Sequence, residues 1–410
     1  MTLSAPMPLV IPNALIRAGC VNEFNNSVLL VDTVNGNIRQ IDMATLGRIE
    51  PYCPLSNVNP TGIAMLSSAS AIVCFSGTST LDVVELSGGY RSSYGVPNSL
   101  PSESQQQARG QHIATDPISK VAVIISGSVN INIFNGVNFL GSTPTNFTIK
   151  ANTQTLCVIY KESNRFLVGT SGGEIYEIDQ FGSSLKRMEL VNPNTSGNQL
   201  TSMNPRIVAM SYDNNLLFVS TEPGIGYVID WSTLTQLSTM SINAASQGLL
   251  ISNSASGTCI GSISPQLNNN KVVVEFDFTS GTAAAGKNPL LLPSNTQIVD
   301  VGINRVTGRG YIVQQITSNF QSNAVPITAI LTLTDITPRD TVVRPFINTD
   351  GGTHVKARII LIDLTVDEIL LDTYAQSPGT YRVPTGKDVL ELVKVGDGAT
   401  ALWAVSRYTT

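Results

Sequence analysis

Histidine is almost missing from this chain: among 410 residues there are two, His112 and His354. They lie far apart in the sequence, and neither has a second His, Cys or acid at metal-ligand spacing. A zinc or non-haem iron site needs three or four convergent ligands, so no metal site and no cofactor is expected. The same scarcity argues against histidine-based general-base catalysis. Charge is sparse too: Asp, Glu, Lys and Arg make up 13% of the chain, against roughly 25% in an average globular protein. The net charge of −5 leaves no electrostatic footprint for DNA or RNA. No apolar run approaches the ~18 residues that span a bilayer, so membrane insertion is not expected. The opening MTLSAPMPLVIPN has neither a basic segment nor an uninterrupted apolar one, so a secretory leader is not expected either. Aromatic residues are only 6%. Tyr90, Tyr94, Trp231 and Phe320, in turn-like stretches, are the candidates for a sugar-stacking surface. The five cysteines (Cys20, Cys53, Cys74, Cys157 and Cys259) are odd in number and contain no CxxC pair. They read as buried free thiols of a chain folded in a reducing cytosol.

What the chain has instead is one recurring phrase: an apolar strand, a turn, and a second strand ending in Ile-Asp. It reads NSVLLVDTVNGNIRQID from Asn26, NRFLVGTSGGEIYEID from Asn164 and NNLLFVSTEPGIGYVID from Asn214. Each is a β-hairpin signature. Asp179 and Asp230 are 51 residues apart, and Asp42 and Asp179 are 137 apart, or three repeats of roughly 46. A period of that length carrying four short strands is the arithmetic of a β-propeller blade. Third-strand ends are expected near Asp42, Glu85, Phe134, Asp179, Asp230, Phe278 and Asp335, giving seven blades over residues 1–338. A four-stranded blade cannot bury both faces alone, so the ring must close. MPLVIPN at residues 7–13 is the expected outer strand of the seventh blade. Pro97–Arg109 and Asn192–Pro205 read as exposed loops on one face. After Pro338 the period disappears, and residues 339–410 read as a small β-sandwich entered through a turn at Asp350–His354. The fold class is therefore all-β.

Motifs with catalytic spelling have structural readings here. Gly169–Gly173, GTSGG, matches G-x-S-x-G but falls between two strands, where a hydrolase elbow needs a helix to follow. Gly281–Asn288, GTAAAGKN, nearly matches a phosphate loop. Asn288 replaces the Mg²⁺-binding hydroxyl and Pro289 blocks the helix, so it reads as a loop between outer strands. Asp42, Asp179 and Asp230 could form a ring of carboxylates, but Asp after a strand more often caps the following turn. D-x-[AS]-T-L recurs at Asp42–Leu46 and Asp230–Leu234. No calcium loop is present. The N-x-[ST] triplets at Asn25, Asn146 and Asn194 read as coincidence. No catalytic, cofactor-binding or metal residue is assigned, and the binding residues are left open.

The repeats at Asn26–Leu46 and Asn214–Leu234, with their D-x-x-T-L ends, resemble propellers of the WD40/YVTN superfamily in the broad sense, without the WD and GH dipeptides of true WD40 repeats. Ala357–Pro384, ARIILIDLTVDEILLDTYAQSPGTYRVP, resembles the carboxypeptidase-regulatory-like β-sandwich modules appended to bacteriophage tail proteins. Together these resemblances imply a non-enzymatic structural or adhesive component of a tailed-phage virion, assembled in the host cytoplasm. Its implied partners are other virion proteins or a host surface receptor, and a homo-oligomer is expected. The rivals are a propeller hydrolase or lyase acting on host surface polysaccharide, which needs paired acids at the channel mouth, and a cellular propeller scaffold binding peptides.

Overall fold

The recurring phrase folds into antiparallel pairs: Ser27–Asp32 with Asn37–Asp42, Arg165–Thr170 with Glu174–Asp179, and Leu216–Glu222 with Ile225–Asp230. In this computed structural model the described residues are 7–97, 111–191, 205–242 and 258–316, except for stretches of one to seven residues within them, followed by the strands 328–335, 346–349, 355–361, 368–370, 380–382, 388–395 and 402–409. The chain divides into two compact units, Thr2–Ile336 and Thr337–Thr410.

In the first unit, a strand before each hairpin and another after it complete a four-stranded antiparallel sheet. The described residues form seven blades, at 16–54, 60–95, 113–142, 155–189, 206–241, 258–292 and 296–335, six of them of this form and the sixth in sequence, 258–292, with no described strand beyond its third-strand position. The first strands of blades 7, 1, 2, 3, 4 and 5 are successive neighbours, blade 6 adjoins blade 7, and one apolar cluster joins blades 5 and 6. The ring therefore closes. Met7–Pro12 pairs antiparallel with Thr328–Asp335, Met7 opposite Leu333 and Pro12 opposite Thr328, as the fourth strand of blade 7.

The second strand of each blade explains the apolar runs. Side chains of a strand alternate between two faces, and here both faces are covered. Val28 and Leu30 of blade 1 pack towards blade 7, with Val299, Tyr311 and Val313. Leu29 and Val31 of the same strand pack towards blade 2, with Ile63, Val73 and Phe75. Blade 4 repeats this: Phe166 and Val168 face blade 3, and Leu167 faces blade 5. Among the described residues six of the seven seams, all but that between blades 6 and 7, thus have an apolar cluster of their own, and these blades bury their apolar surface against their neighbours. All five cysteines are free thiols; four are buried and Cys20 is half-buried.

The sixth unit departs from its expected pattern. Phe278 follows the second strand, Lys271–Asp277, rather than the third. The third-strand position is divided between Ala284–Ala285 and Leu290–Leu292, both paired to that second strand. Within GTAAAGKN, Ala284–Ala285 is therefore part of a divided third strand and not of a loop between outer strands.

The second unit contains a four-stranded antiparallel sheet in the order Phe346–Thr349, Val355–Leu361, Asp388–Val395, Leu402–Thr409, and a two-stranded one of Glu368–Leu370 and Thr380–Arg382. Residues 98–109, 192–204 and 350–354, together with Asn146 and Phe320, lie outside the described residues.

Candidate functional site

The three acids that end third strands are turn caps. Asp42 Oδ1 accepts from the Ala44 and Thr45 amides at 2.8 and 2.7 Å and from the Thr45 hydroxyl at 3.0 Å. Asp230 accepts from the Ser232 amide and hydroxyl, and Asp179 from the Phe181 and Ser183 amides. Partial burial works against the Asp42 charge, but these bonds outweigh it and hold the carboxyl below its ordinary range. The Ser232 hydroxyl does the same for Asp230. Leu46 and Leu234 close the two D-x-[AS]-T-L turns in the left-handed region, with φ of 59° and 56°. The acids are tied into separate turns and form no common site. GTSGG is a strand–turn–strand hairpin, with Thr170 Oγ1 accepting from the Gly172 and Glu174 amides. His112 is buried just before the first strand of blade 3. The aromatic candidates do not converge: Tyr90 is exposed, Tyr94 packs edge-on against Phe134, and Trp231 is fully buried.

The first strands instead enclose an axial cavity of about 170 Å³. Blades 7, 1, 2, 3 and 4 contribute its wall, among them Cys20, Ile63, Ile113, Val158 and Asp300. At its mouth Arg305 grips Glu23 with both ends of its guanidinium, at 2.8 and 3.1 Å.

Asp300 is the unusual group in this wall. It follows a β-bulge that recurs in the first strands, after Ile16, Pro60, Thr155, Ile207 and Ile298. Blades 1, 2, 4 and 5 place Ala18, Gly62, Cys157 and Ala209 at this position; blade 7 places a carboxyl. Oδ1 accepts from the Val301 amide at 2.9 Å and Oδ2 from the Tyr311 hydroxyl at 3.0 Å. The Gly19 amide of blade 1 also donates to it. Burial pushes the carboxyl up to about 7, and the bonds from Tyr311, Gly19 and Val301 only partly oppose this. Burial, reinforced by Asp300, also raises the Cys20 thiol and the Tyr311 hydroxyl, so both stay protonated. Glycine is required on both sides of the pair. A Cβ at Gly19 would stand 2.9 Å from Asp300 Oδ2, and one at Gly302 2.2 Å from the Tyr311 ring.

Gln111 shows how the channel-facing edge of a first strand is satisfied. Its side-chain amide donates to the Met210 carbonyl at 2.6 Å and accepts from the Met210 amide at 2.8 Å, while its own carbonyl accepts from Val158. One carboxamide thus makes both bonds a neighbouring strand would make, between blades 4 and 5. Gln111→Ala is expected to cost about 1–2 kcal/mol by leaving the Met210 groups without this partner. Gln111→Glu should not restore the loss, because a carboxylate cannot donate to the Met210 carbonyl. Thermal melting of the two variants checks this.

One end of the ring carries a second feature. The strands of a blade alternate in direction, so first-to-second and third-to-fourth turns share one end. Six exposed large apolar or aromatic side chains sit on these turns, 47–86% exposed: Phe24, Tyr90, Ile118, Val137, Phe181 and Val306. Phe24 also lines the axial cavity. Among the described residues the opposite end has Val34, Val129 and Val191.

No protein-family model and no curated protein matches the chain. Solved structures do. A chain from the structure of the mitotic checkpoint complex aligns over 82% of this chain and 92% of its own length, with a TM-score of 0.53 at 10% identity. Raptor from Chaetomium thermophilum aligns over 80% of this chain with a TM-score of 0.53 at 12% identity. This fold is a β-propeller. The aligned part is only 28% of the Raptor chain. At these identities the likeness concerns the propeller fold alone.

Proposed function

We propose that the propeller is a rigid platform that docks other proteins on its apolar-tipped end, by surface complementarity and without covalent chemistry. The observation that carries this reading is the placement of the exposed apolar side chains. Scattered singly they would be ordinary surface; here six of them stand at turn tips on one end, one beside the cavity mouth. The mouth's charges are spent on each other in the Glu23–Arg305 pair, so an uncharged, apolar-centred partner surface fits best. The finer reading is a virion component of a tailed phage, with particle proteins or a host surface receptor as partner, several copies per particle, and residues 339–410 as an appended β-sandwich. It rests on the resemblance of Ala357–Pro384. A cellular scaffold differs only in its partner, and one similar structure is a complex by its own description. The hydrolase reading has less support: the cavity wall carries two described acids, Glu23 engaged by Arg305 and Asp300 nearly inaccessible. Phe24→Asp combined with Ile118→Asp should abolish co-purification of particle proteins and leave the melting temperature within about 2 °C of wild type. Undiminished co-purification, or depolymerisation of host surface glycan by the wild-type chain, would overturn the proposal.

A further inference from the structure

The edges of the first strands that face the axis are unequal in donors and acceptors. A first strand pairs only with the second strand of its blade, so its other edge is turned to the channel. The residues that turn their backbone groups to that edge lie one beyond the post-bulge position. They are Gly19, Ile63, Val158, Met210 and Val301, in blades 1, 2, 4, 5 and 7. In four of the five the amide already has an acceptor. Gly19 and Val301 donate to Asp300, Val158 to the Gln111 carbonyl, and Met210 to the Gln111 side chain. In an antiparallel pair, a residue whose N–H points away from its partner strand sends its C=O the same way. The Met210 carbonyl receives the Gln111 side-chain N–H. Among the described residues no donor reaches the carbonyls of Gly19, Ile63, Val158 and Val301, and all four residues line the axial cavity. Two residues, Asp300 and Gln111, thus take up the axis-facing amides and leave a wall of acceptors.

The charge of this wall has the matching sign. Asp300 borders the cavity and is met by three donors, the Val301 and Gly19 amides and the Tyr311 hydroxyl, all of which favour its carboxylate form. Burial alone opposes that charge, and a cation in the cavity removes the opposition. Glu23 and Arg305 neutralise each other at the mouth. Among the described residues no cation bonds Asp300.

We propose that the axial cavity binds a small primary alkylammonium ion, whose N–H groups donate to the first-strand carbonyls while Asp300 supplies the countercharge from within the wall. A primary ammonium carries three donors and no acceptor, as this wall requires. The cavity of about 170 Å³ has room for a short alkyl chain beside Ile63, Ile113 and Val158. An inorganic cation leaves that apolar part unfilled, and a neutral alcohol brings one donor and no charge. The site does not depend on docking at the turn tips.

The test titrates n-butylammonium chloride into the full chain, with n-butanol and potassium chloride as controls. Calorimetry gives the affinity for wild type and for Asp300→Asn, which keeps the shape of the side chain and removes its charge. Backbone carbonyl ¹³C shifts of the wild-type chain give the place of binding. The n-butylammonium ion is expected to bind wild type at least about tenfold more tightly than either control, and Asp300→Asn to lose about tenfold or more in affinity for it. The carbonyl shifts of Gly19, Val158 and Val301 should move and that of Val168, on the second strand of blade 4, should not. That comparison needs no variant, so it decides the matter should Asp300→Asn fail to fold. Equal affinity for n-butanol or potassium, undiminished binding by Asp300→Asn, or three carbonyls that do not respond would overturn the proposal.

Discussion

Without residues 1–12 the propeller is expected to melt on the order of 10 °C below the full chain. These residues supply Met7–Pro12, the fourth strand of blade 7, which runs antiparallel to Thr328–Asp335 over six residue pairs. Ile11 is buried among Ile16, Val28, Leu30 and Tyr311, with Leu9 packed against the same cluster. Burying a side chain of this size contributes about 2–3 kcal/mol, and each lost ladder bond costs about 0.5–1.5 kcal/mol. The total is at least about 5 kcal/mol, and the deletion bares the edge of Thr328–Asp335 to other chains. The seam would still hold Arg305–Glu23, the 2.9 Å bond from Asn304 to Asn26, and Arg309 donating to the Met43 carbonyl. The expected outcome is therefore a weakened, aggregation-prone ring. An unchanged melting temperature in calorimetry would show that closure does not depend on this strand. Val10→Asp is the control, since Val10 faces solvent and the change should cost little.

Trp231→Ala is expected to lower the melting temperature by a similar amount. Trp231 is fully buried between blades 4 and 5, in the cluster of Leu167, Ile207, Met210 and Ile229. Truncating a buried tryptophan costs about 3–5 kcal/mol. Its indole N–H also donates to Glu177 Oε2, and Glu177 is otherwise met by Lys161 at 3.5 Å. Lys161 stands over the Tyr212 ring at 5.4 Å, and the Tyr212 hydroxyl donates to Glu162. The substitution thus leaves a cavity and a buried carboxylate with one partner fewer. Trp231→Phe, which fills most of the space and loses the donor, should cost about 1–3 kcal/mol. Equal melting temperatures for the Ala and Phe variants would contradict the packing role; equal values for Phe and wild type would contradict the Glu177 bond.

The repeat was legible because it is local. A hairpin carries its own signal in a dozen residues, and the runs SVLLVD, SAIVCF and VAVII reveal strands buried on both faces. Asp42, Asp179 and Asp230 were readable as caps because an Asx turn involves only the next few residues. MPLVIPN was readable because ring closure demands a strand from somewhere. Long-range features were not legible. Trp231 follows Ile-Asp at the start of a turn, where a side chain is usually exposed; it is buried because it folds back over the seam to Glu177, 54 residues earlier. Gln111 bonds a strand 99 residues away. Asp300 had a signal of its own, an acid within the apolar run QIVDVG, but its meaning depends on a bulge that only the pairing register reveals. Blade 6 was misplaced by one strand because its third strand is divided, and a hairpin count has no means of seeing that. The exposed turn tips were not sought, because the Ser- and Asn-rich segments Pro97–Arg109 and Asn192–Pro205 read as the natural contact surface.

The claim that partners dock on the apolar-tipped end is tested most directly by placing a photoreactive side chain at single positions of the full chain. Ile118 and Phe181 would report on that end, and Val34 and Val129 on the opposite one. After irradiation in the intact assembly, mass spectrometry identifies what each position has joined. The account predicts protein adducts from Ile118 and Phe181 and none from Val34 and Val129. Adducts from Val34 and Val129 alone, or from no position at all, would contradict it.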